Sequence, residues 1–431
     1  MLHDNIKVGE NGHLYFAGMD TVDLAKKYGT PLYLMDENKL RENCRTFLKC
    51  IQKHFGEKSI PIFASKAISY LDIYRILKSE GIATDVVSGG EIFAASKAGF
   101  SSSMMFFHGN NKTDAEIEYA LKSDVGYFVV DNREELDEVA ACAKKHGKVQ
   151  RILLRLAPGI DPHTHKAVVT GSVDSKFGVA IETGQAMELT KYALSKNNVK
   201  LIGFHCHIGS LIFENTPFSD AAEIMLSFIA EVRKQTGFTS EMLNLGGGLP
   251  SRYIEEHPTV DLDKTFAAIK AVLDRFLLKY DIRKPVIAFE LGRYICANAG
   301  MTLYTVGSFK SITGYKNYIS IDGGMADNPR YALYQSPYTV LVADRAGEDK
   351  TVIATIAGRC CESGDIIQED VKIQPCKKGD ILAVLVTGAY NYSMCSNYNR
   401  LPKPAMVCIK NKVDRVVVER ESYEDMCKNE L

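Results

Sequence analysis

The sequence predicts an α/β chain: a (β/α)8 TIM-like barrel plus a C-terminal all-β domain that also takes in the N-terminal segment. Three observations predict it. Between residues 61 and 290, eight short apolar runs alternate with helical patterns. After about residue 295, helix-length patterns nearly vanish, and short alternating runs separated by turn residues replace them. The 431 residues also exceed one ordinary core, so two domains are expected.

Taken in order, Gly12-His13-Leu14-Tyr15-Phe16 reads as a short strand and Thr21 to Lys27 as a short helix ended by Gly29. Pro31 to Met35 reads as a strand and Glu37 to Phe55 as a helix. The eight runs are Ile62–Ser65, Ile82–Val87, Met104–His108, Tyr127–Val130, Arg151–Leu156, Leu201–His205, Met242–Leu245 and Val286–Phe289. Helix signals separate them. Thr113 before Glu116 and Asn132 before Glu135 resemble capping boxes. Gly99 and Gly147 read as stops, and Asp220–Lys234 and Leu262–Tyr280 carry apolar residues at three-to-four spacing. Eight strand–helix units over this length suit a barrel, with an open doubly wound sheet as the competing arrangement. Further runs at Met301–Phe309, Tyr318–Ile321, Tyr338–Val342, Thr351–Ile356, Ile381–Val386 and Met406–Lys410 make the β domain. The expected boundaries are 1–30 for the N-terminal segment, which needs a sheet to join, 31–295 for the barrel and 296–431 for the β domain.

Composition narrows the function. Hydrophobic residues make up 46% and charged residues 24%, with a formal net charge of −1, so neither nucleic acid nor an anionic membrane surface is expected as a partner. The 11 cysteines are scattered, odd in number and without a CxxC pair, which fits reduced thiols rather than a disulfide scaffold. The N-terminus lacks a basic region followed by an apolar run, and no apolar stretch approaches about 20 residues; a cytoplasmic protein is expected.

In a barrel, function collects at the carboxyl ends of the strands. The first run, Pro61-Ile62-Phe63-Ala64-Ser65, stops at Lys66. A lysine there either snorkels out of the strand end or, with its ammonium desolvated, attacks a carbonyl. The second run ends in Asp85 to Glu91, the third in His108-Gly109-Asn110-Asn111-Lys112 and the sixth in His205-Cys206-His207-Ile208-Gly209-Ser210. The seventh ends in Asn244-Leu245-Gly246-Gly247-Gly248 and the eighth in Glu290-Leu291-Gly292-Arg293. Three glycines in a row bring backbone N–H groups together without side chains, as a phosphate requires, though a tight turn has the same look. His205 and His207 share a strand face; a metal pair is conceivable, but no third ligand is evident, and no metal is expected. A histidine packed against a planar ring is an equal reading. Lysine, phosphate cradle and histidine at one barrel mouth suggest pyridoxal 5′-phosphate, and Glu290 would then keep its pyridine nitrogen protonated. In the β domain three groups stand out: Asp322 to Arg330 with Tyr334, Gly358 to Asp365, and Gly388-Ala389-Tyr390. Each could be a loop with turn glycines; in the second, a thiol of Cys360-Cys361 could carry a proton.

The set resembles the diaminopimelate decarboxylase family, alanine-racemase-like (fold type III) pyridoxal-phosphate decarboxylases, from about residue 10 to 408. The motifs that carry the resemblance are Phe63-Ala64-Ser65-Lys66-Ala67, His108 to Lys112, His205 to Ser210, Asp322 to Arg330, Cys361-Glu362-Ser363-Gly364-Asp365, Ser393-Met394 and Ser396-Asn397-Tyr398. The resemblance implies that Lys66 holds the cofactor as a Schiff base, His207 stacks on its ring and Glu290 pairs with its pyridine nitrogen. It implies a phosphate region lined by Gly247, Gly248, Gly292 and Arg293, with Ser210 and Tyr390 helping. Arg293, Arg330, Tyr334 and Tyr390 would contact substrate, Glu362 would hold its distal ammonium, and Cys361 would reprotonate the α-carbon after carbon dioxide leaves. It also implies a homodimer in which Cys361 and Glu362 reach the partner's barrel. The expected small-molecule substrate is a diamino dicarboxylic acid, meso-2,6-diaminopimelate, converted to L-lysine. Sister activities on carboxynorspermidine, D-lysine or D-ornithine, and a non-catalytic pyridoxal-phosphate-binding regulator, are the alternatives. A racemase of the same barrel would want arginine where Glu290 stands. Four residues depart from the usual family pattern beside these motifs: Leu291 for proline, Leu211 for glutamine, Pro250 for glycine and Tyr331 for proline.

Overall fold

The computed structural model describes residues 2–160, 174–280 and 282–431. The chain forms two compact units: Cys44–Pro250 with Val260–Gly292, and Met1–Asn43 with Ser251–Thr259 and Arg293–Leu431.

The first unit is a closed barrel of eight parallel strands: β1 (Ile60–Ala64), β2 (Ala83–Val86), β3 (Met105–Phe107), β4 (Tyr127–Val130), β5 (Gln150–Ala157), β6 (Val199–His205), β7 (Met242–Asn244) and β8 (Val286–Glu290). Neighbours in sequence pair in parallel all round, and β8 returns to β1 with Ala288 opposite Ile60. This closure excludes the open doubly wound sheet. The strands read as continuous apolar runs because both faces are covered. One residue from each strand meets in a shared buried cluster: Ile62, Ala83, Phe106, Val129, Leu153, Ile202, Met242 and Ala288. The barrel is therefore packed through, and chemistry is left to the loops at its mouth.

Helices between the strands start where the sequence says they should. Thr113 and Glu116 form a reciprocal capping box on Asp114–Lys122. Asn132 accepts from the Glu135 N–H on Arg133–Lys145, but the Glu135 carboxylate pairs with buried Lys112 at 2.7 Å and so does not complete the expected box. Leu262–Tyr280 has the expected bounds, and the Asp220–Lys234 pattern lies inside a longer helix, Thr216–Thr236.

The second unit is mostly sheet. Its central strand, Gly300–Ile312, pairs with Lys316–Ile321, Leu32–Asp36 and Ile381–Leu385. Leu32–Asp36 runs beside Ala405–Lys410 as well, so the β sheet takes up chain beyond residue 30. A small three-stranded sheet, Ile6–Val8, Leu14–Phe16 and Met19–Asp20, also belongs to this unit. Besides the short strands Ile6–Val8, Met19–Asp20 and, in the barrel unit, Val179–Ala180, two strands of the large sheet escaped the sequence reading: Ile366–Ile373 and Val413–Val418. They are the two outermost strands of the large sheet. Edge strands carry charges on exposed positions, here Glu369, Asp370, Lys372 and Arg415, and that breaks the alternation. None of the eleven cysteines is in a disulfide, and among the described residues no helix is long and apolar enough to cross a membrane.

Candidate active site

The barrel unit gathers its polar residues at the strand ends. β1 ends at Ala64, and a single 3-10 turn, Ser65–Ala67, follows. The turn is pinned from beneath. The Ser65 N–H donates to Asp85 Oδ1 (2.8 Å) and the Ser65 hydroxyl to Glu91 Oε2 (2.5 Å), which also accepts from the Val87 N–H (2.7 Å). Lys66, between buried Ser65 and Ala67, is left exposed at the mouth. Burial pushes the Asp85 carboxyl well above its ordinary range and the Glu91 carboxyl upward; the Lys66 charge opposes both.

Glu290 closes β8 and is buried. Asn244 at the end of β7 donates to its Oε1 at 2.7 Å, and His205 Nε2 at the end of β6 lies 3.2 Å from Oε2. His108 Nε2 comes within 2.8 Å of Oε1 without the alignment of a hydrogen bond, so it acts as an electrostatic neighbour. Burial works against a charge on Glu290, yet the two imidazoles hold its carboxyl well below the usual range. Burial pushes both imidazoles down, His205 to about 4, and the Glu290 carboxylate opposes that shift. The ligand atoms of His108, His205 and Glu290 lie within 4.8 Å of one another. The side chains that gather beside His205 are thus Glu290 and His108, not His207.

His207 faces the glycine run instead. The Gly247 N–H donates to His207 Nδ1 at 3.2 Å, which leaves the ring proton on Nε2. Burial, followed by the charges of Lys66 and Arg155, keeps this imidazole neutral. The glycines are obligatory. Gly246 has φ +67°, and a Cβ there would meet the Cys206 carbonyl at 2.4 Å; one on Gly247 would meet the Glu290 carbonyl at 2.0 Å. Gly248 lies against the Gly209 carbonyl, beside half-buried Ser210, and Gly292 packs on Ala64 and Ala67 at the Lys66 turn.

The β unit holds the other expected residues. Arg330 is 1% exposed. Its guanidinium lies 4.2 Å over the Tyr253 ring and 5.1 Å over Tyr338, and its Nε and Nη1 have no hydrogen-bond acceptor among the described residues. Buried Arg293 donates from Nη1 to the Tyr253 hydroxyl at 2.6 Å and sits 4.6 Å over the Tyr390 ring. Tyr390 holds φ +61°, a conformation that positions its ring at the cost of backbone strain. Half-buried Tyr334 ends the short helix Arg330–Tyr334. Cys361 and Glu362 are both exposed, on a loop shaped by Asp365, which accepts from the Met325 N–H (2.5 Å) and the Cys360 N–H (2.7 Å). The Cys361 N–H donates to Asn399 Oδ1, and the Tyr398 hydroxyl reaches Glu362 Oε2 at 3.4 Å.

Residues 37–297 match the family model described as "Pyridoxal-dependent decarboxylase, pyridoxal binding domain". The diaminopimelate decarboxylase of Bacillus subtilis is 43% identical over 436 aligned residues, covering 100% of this chain and 98% of that protein. The chain belongs to the diaminopimelate decarboxylase family. The diaminopimelate decarboxylase of Bacillus methanolicus is also 43% identical, over 97% of each chain. The crystal structure of the m. jannaschii diaminopimelate decarboxylase in complex with L-lysine superposes with a TM-score of 0.90 at 33% identity, covering 99% of this chain and 98% of that one.

Members of this family depend on pyridoxal phosphate, and the residues here fit it. An ionised carboxylate buried beside two imidazoles suits a protonated pyridine nitrogen. A glycine turn with no room for a Cβ suits a phosphate, and an exposed amine on a pinned turn suits an aldehyde. Sequence reasoning missed Tyr253 and Tyr338. Tyr253 lies in Ser251–Thr259, a segment that belongs to the β unit although it interrupts the barrel rhythm, and no local pattern marks it. Asp85, Glu91, His108 and Asn244 stand in the strand-end motifs, but nothing in their spacing assigns them partners.

Proposed function

We propose that the protein decarboxylates meso-2,6-diaminopimelate to L-lysine and carbon dioxide. The observation that carries the substrate is Arg330: a buried guanidinium with two N–H groups lacking an acceptor calls for a carboxylate beyond the one that is lost. Leaving such a charge unmatched costs roughly 3–5 kcal/mol, which disfavours substrates without a distal carboxylate.

Lys66 would hold the cofactor through Nζ, His207 would lie beside its ring, and Glu290 would keep the pyridine nitrogen protonated. Gly247, Gly248, Ser210, Gly292, Arg293 and Tyr390 serve the phosphate region. When bound, the cofactor supplies an electron sink for the pair left on the α-carbon as carbon dioxide departs. Asn244, His205 and His108 fix the Glu290 carboxylate in its ionised form, so no proton has to move there during the reaction. Arg293, Arg330, Tyr334 and Tyr390 orient the substrate and Glu362 meets its distal ammonium. The Cys361 Sγ delivers the proton that replaces carbon dioxide on the α-carbon. Exposure of Cys361 and Glu362 supports their contribution to the barrel of a second subunit, so the working form is read as a homodimer in the cytoplasm.

The test is a side-by-side assay of diaminopimelate, D-lysine, ornithine and carboxynorspermidine. Diaminopimelate is expected to exceed the others in kcat/KM by at least about a hundredfold, the equivalent of about 3 kcal/mol. Equal rates with and without a distal carboxylate would refute the reading.

A further inference from the structure

A second cluster of ligating side chains lies in the barrel unit, on two helices away from the strand ends. Cys50 and His54 are four residues apart on Glu37–Phe55, one turn apart on the same face. Asp263 is the second residue of Leu262–Tyr280. His54 Nε2 lies 2.8 Å from Asp263 Oδ1 and Cys50 Sγ lies 3.8 Å from the same oxygen. All three groups bring a ligand atom within 4.8 Å of the others. Cys50 and His54 are buried, while Asp263 is open to solvent.

We propose that Cys50, His54 and Asp263 form a binding site for a divalent cation of the zinc class, separate from the decarboxylation chemistry. The spacing is that of a coordination polyhedron. Zinc bonds of about 2.3 Å to sulfur, 2.0–2.1 Å to nitrogen and 2.0–2.2 Å to oxygen set tetrahedral edges of about 3.4–3.6 Å. The two edges that meet at Asp263, 2.8 and 3.8 Å, bracket that range, and the third, between Cys50 and His54, lies within 4.8 Å. The His54 ring is already held by packing: it stands edge-on to Phe266, with centroids 6.5 Å apart and planes at 80°. The open side at Asp263 gives the ion a way in and leaves the fourth corner to water. Thiolate, imidazole and carboxylate together select zinc or cobalt over magnesium or calcium.

Without the ion, Lys53 stands in for its charge, with Nζ 2.7 Å from Asp263 Oδ1 on a side chain 63% exposed. It can swing into water when the cation arrives. The Cys50 thiol is pushed up to about 12 by burial and by the Asp263 carboxylate, so it enters as S–H. Uptake forms the metal–sulfur bond, releases that proton to solvent and changes no oxidation state. The bound ion would tie the last turn of one helix to the first turn of the other and stabilise the folded chain by mass action.

The test uses cofactor-loaded protein, which keeps Glu290 and its histidines occupied, stripped of metal with a chelator and then titrated with cobalt(II) and with zinc(II). The expected result is one equivalent bound, the visible ligand-field bands of tetrahedral cobalt with a thiolate ligand, and a higher Tm with zinc. Cys50→Ser and Asp263→Asn should each lose the tetrahedral bands and weaken zinc at least tenfold, while Cys142→Ser should leave both unchanged. Asp263 is exposed, so its variant folds even if Cys50→Ser does not. Failure of the native chain to bind cobalt, an octahedral spectrum, or bands that persist in Asp263→Asn and Cys50→Ser would overturn the site.

Discussion

Arg330 and Arg293 share one tyrosine, Tyr253, and that sharing sets the character of both. Burial lowers the Arg330 pKa, but its tyrosine neighbours more than offset this, so the charge persists without a carboxylate partner. Arg330→Lys keeps the charge and gives up the planar fork and the stacking on Tyr253. It should raise KM for diaminopimelate by about ten- to a hundredfold, or about 1.4–3 kcal/mol, with a smaller change in kcat; steady-state kinetics checks this. The imidazoles at Glu290 make a pH prediction. His205 titrates near 4 when folded against an ordinary 6.5, so the unfolded chain binds more protons between those values. Its contribution is therefore complete above about 6.5 and is lost as pH falls toward 4, by up to about 3 kcal/mol. Urea unfolding from pH 7 to pH 4.5 should show a steeper loss in the native chain than in His205→Asn.

At the level of elements, the loop that leads into Arg330 is held by Asp327. Its Oδ1 accepts from the Tyr304 hydroxyl at 2.5 Å, its Oδ2 accepts from the Gly324 N–H at 3.0 Å, and its carbonyl accepts from the Tyr33 hydroxyl. Burial pushes the Asp327 carboxyl up to about 7. The folded chain then holds a proton that the unfolded chain releases between about 4 and 7, so this stabilisation is present at low pH and lost as pH rises through 7. Asp327→Asn, which stays neutral, should remove a pH-dependent difference of up to about 4 kcal/mol, read as the unfolding free energy of both proteins at pH 4.5 and pH 7.5. Elements with their own chemistry were legible before folding: the Thr113–Glu116 box, the helix Leu262–Tyr280 and the Gly246–Gly248 turn. The outer strands Ile366–Ile373 and Val413–Val418 were not, because what makes them strands is a neighbour to pair with. Glu135 was misread for the same reason: Lys112, 23 residues away, outbids the local N–H.

For the whole molecule, the proposed dimer gives a test that neither unit alone can pass. Lys66→Ala and Cys361→Ala should each be inactive, and the first should also lose the Schiff-base absorbance. Mixed and allowed to exchange subunits, they should recover activity approaching a quarter of the native level, from heterodimers with one intact site of two. No recovery despite demonstrated exchange would count against a shared site. The division of the chain also belongs to this scale. Leu32–Asp36 joins the β sheet and Ser251–Thr259 clusters with the β unit, although both read as part of the barrel run in sequence.

The sequence by itself determined the eight strand–helix units, the lysine at the first strand end, the glycine cradle and the acidic residue at the eighth. Each of these is a short-range pattern whose physics is contained within a few residues. Tertiary structure alone decided that His108 and His205, 97 residues apart, flank the same Glu290 carboxylate. It also decided that Tyr253 lies under both arginines and that Cys50 and His54 face Asp263. Those choices depend on which strand and helix ends barrel closure and sheet pairing bring together, and burial then fixes their charge; no spacing along the chain encodes either.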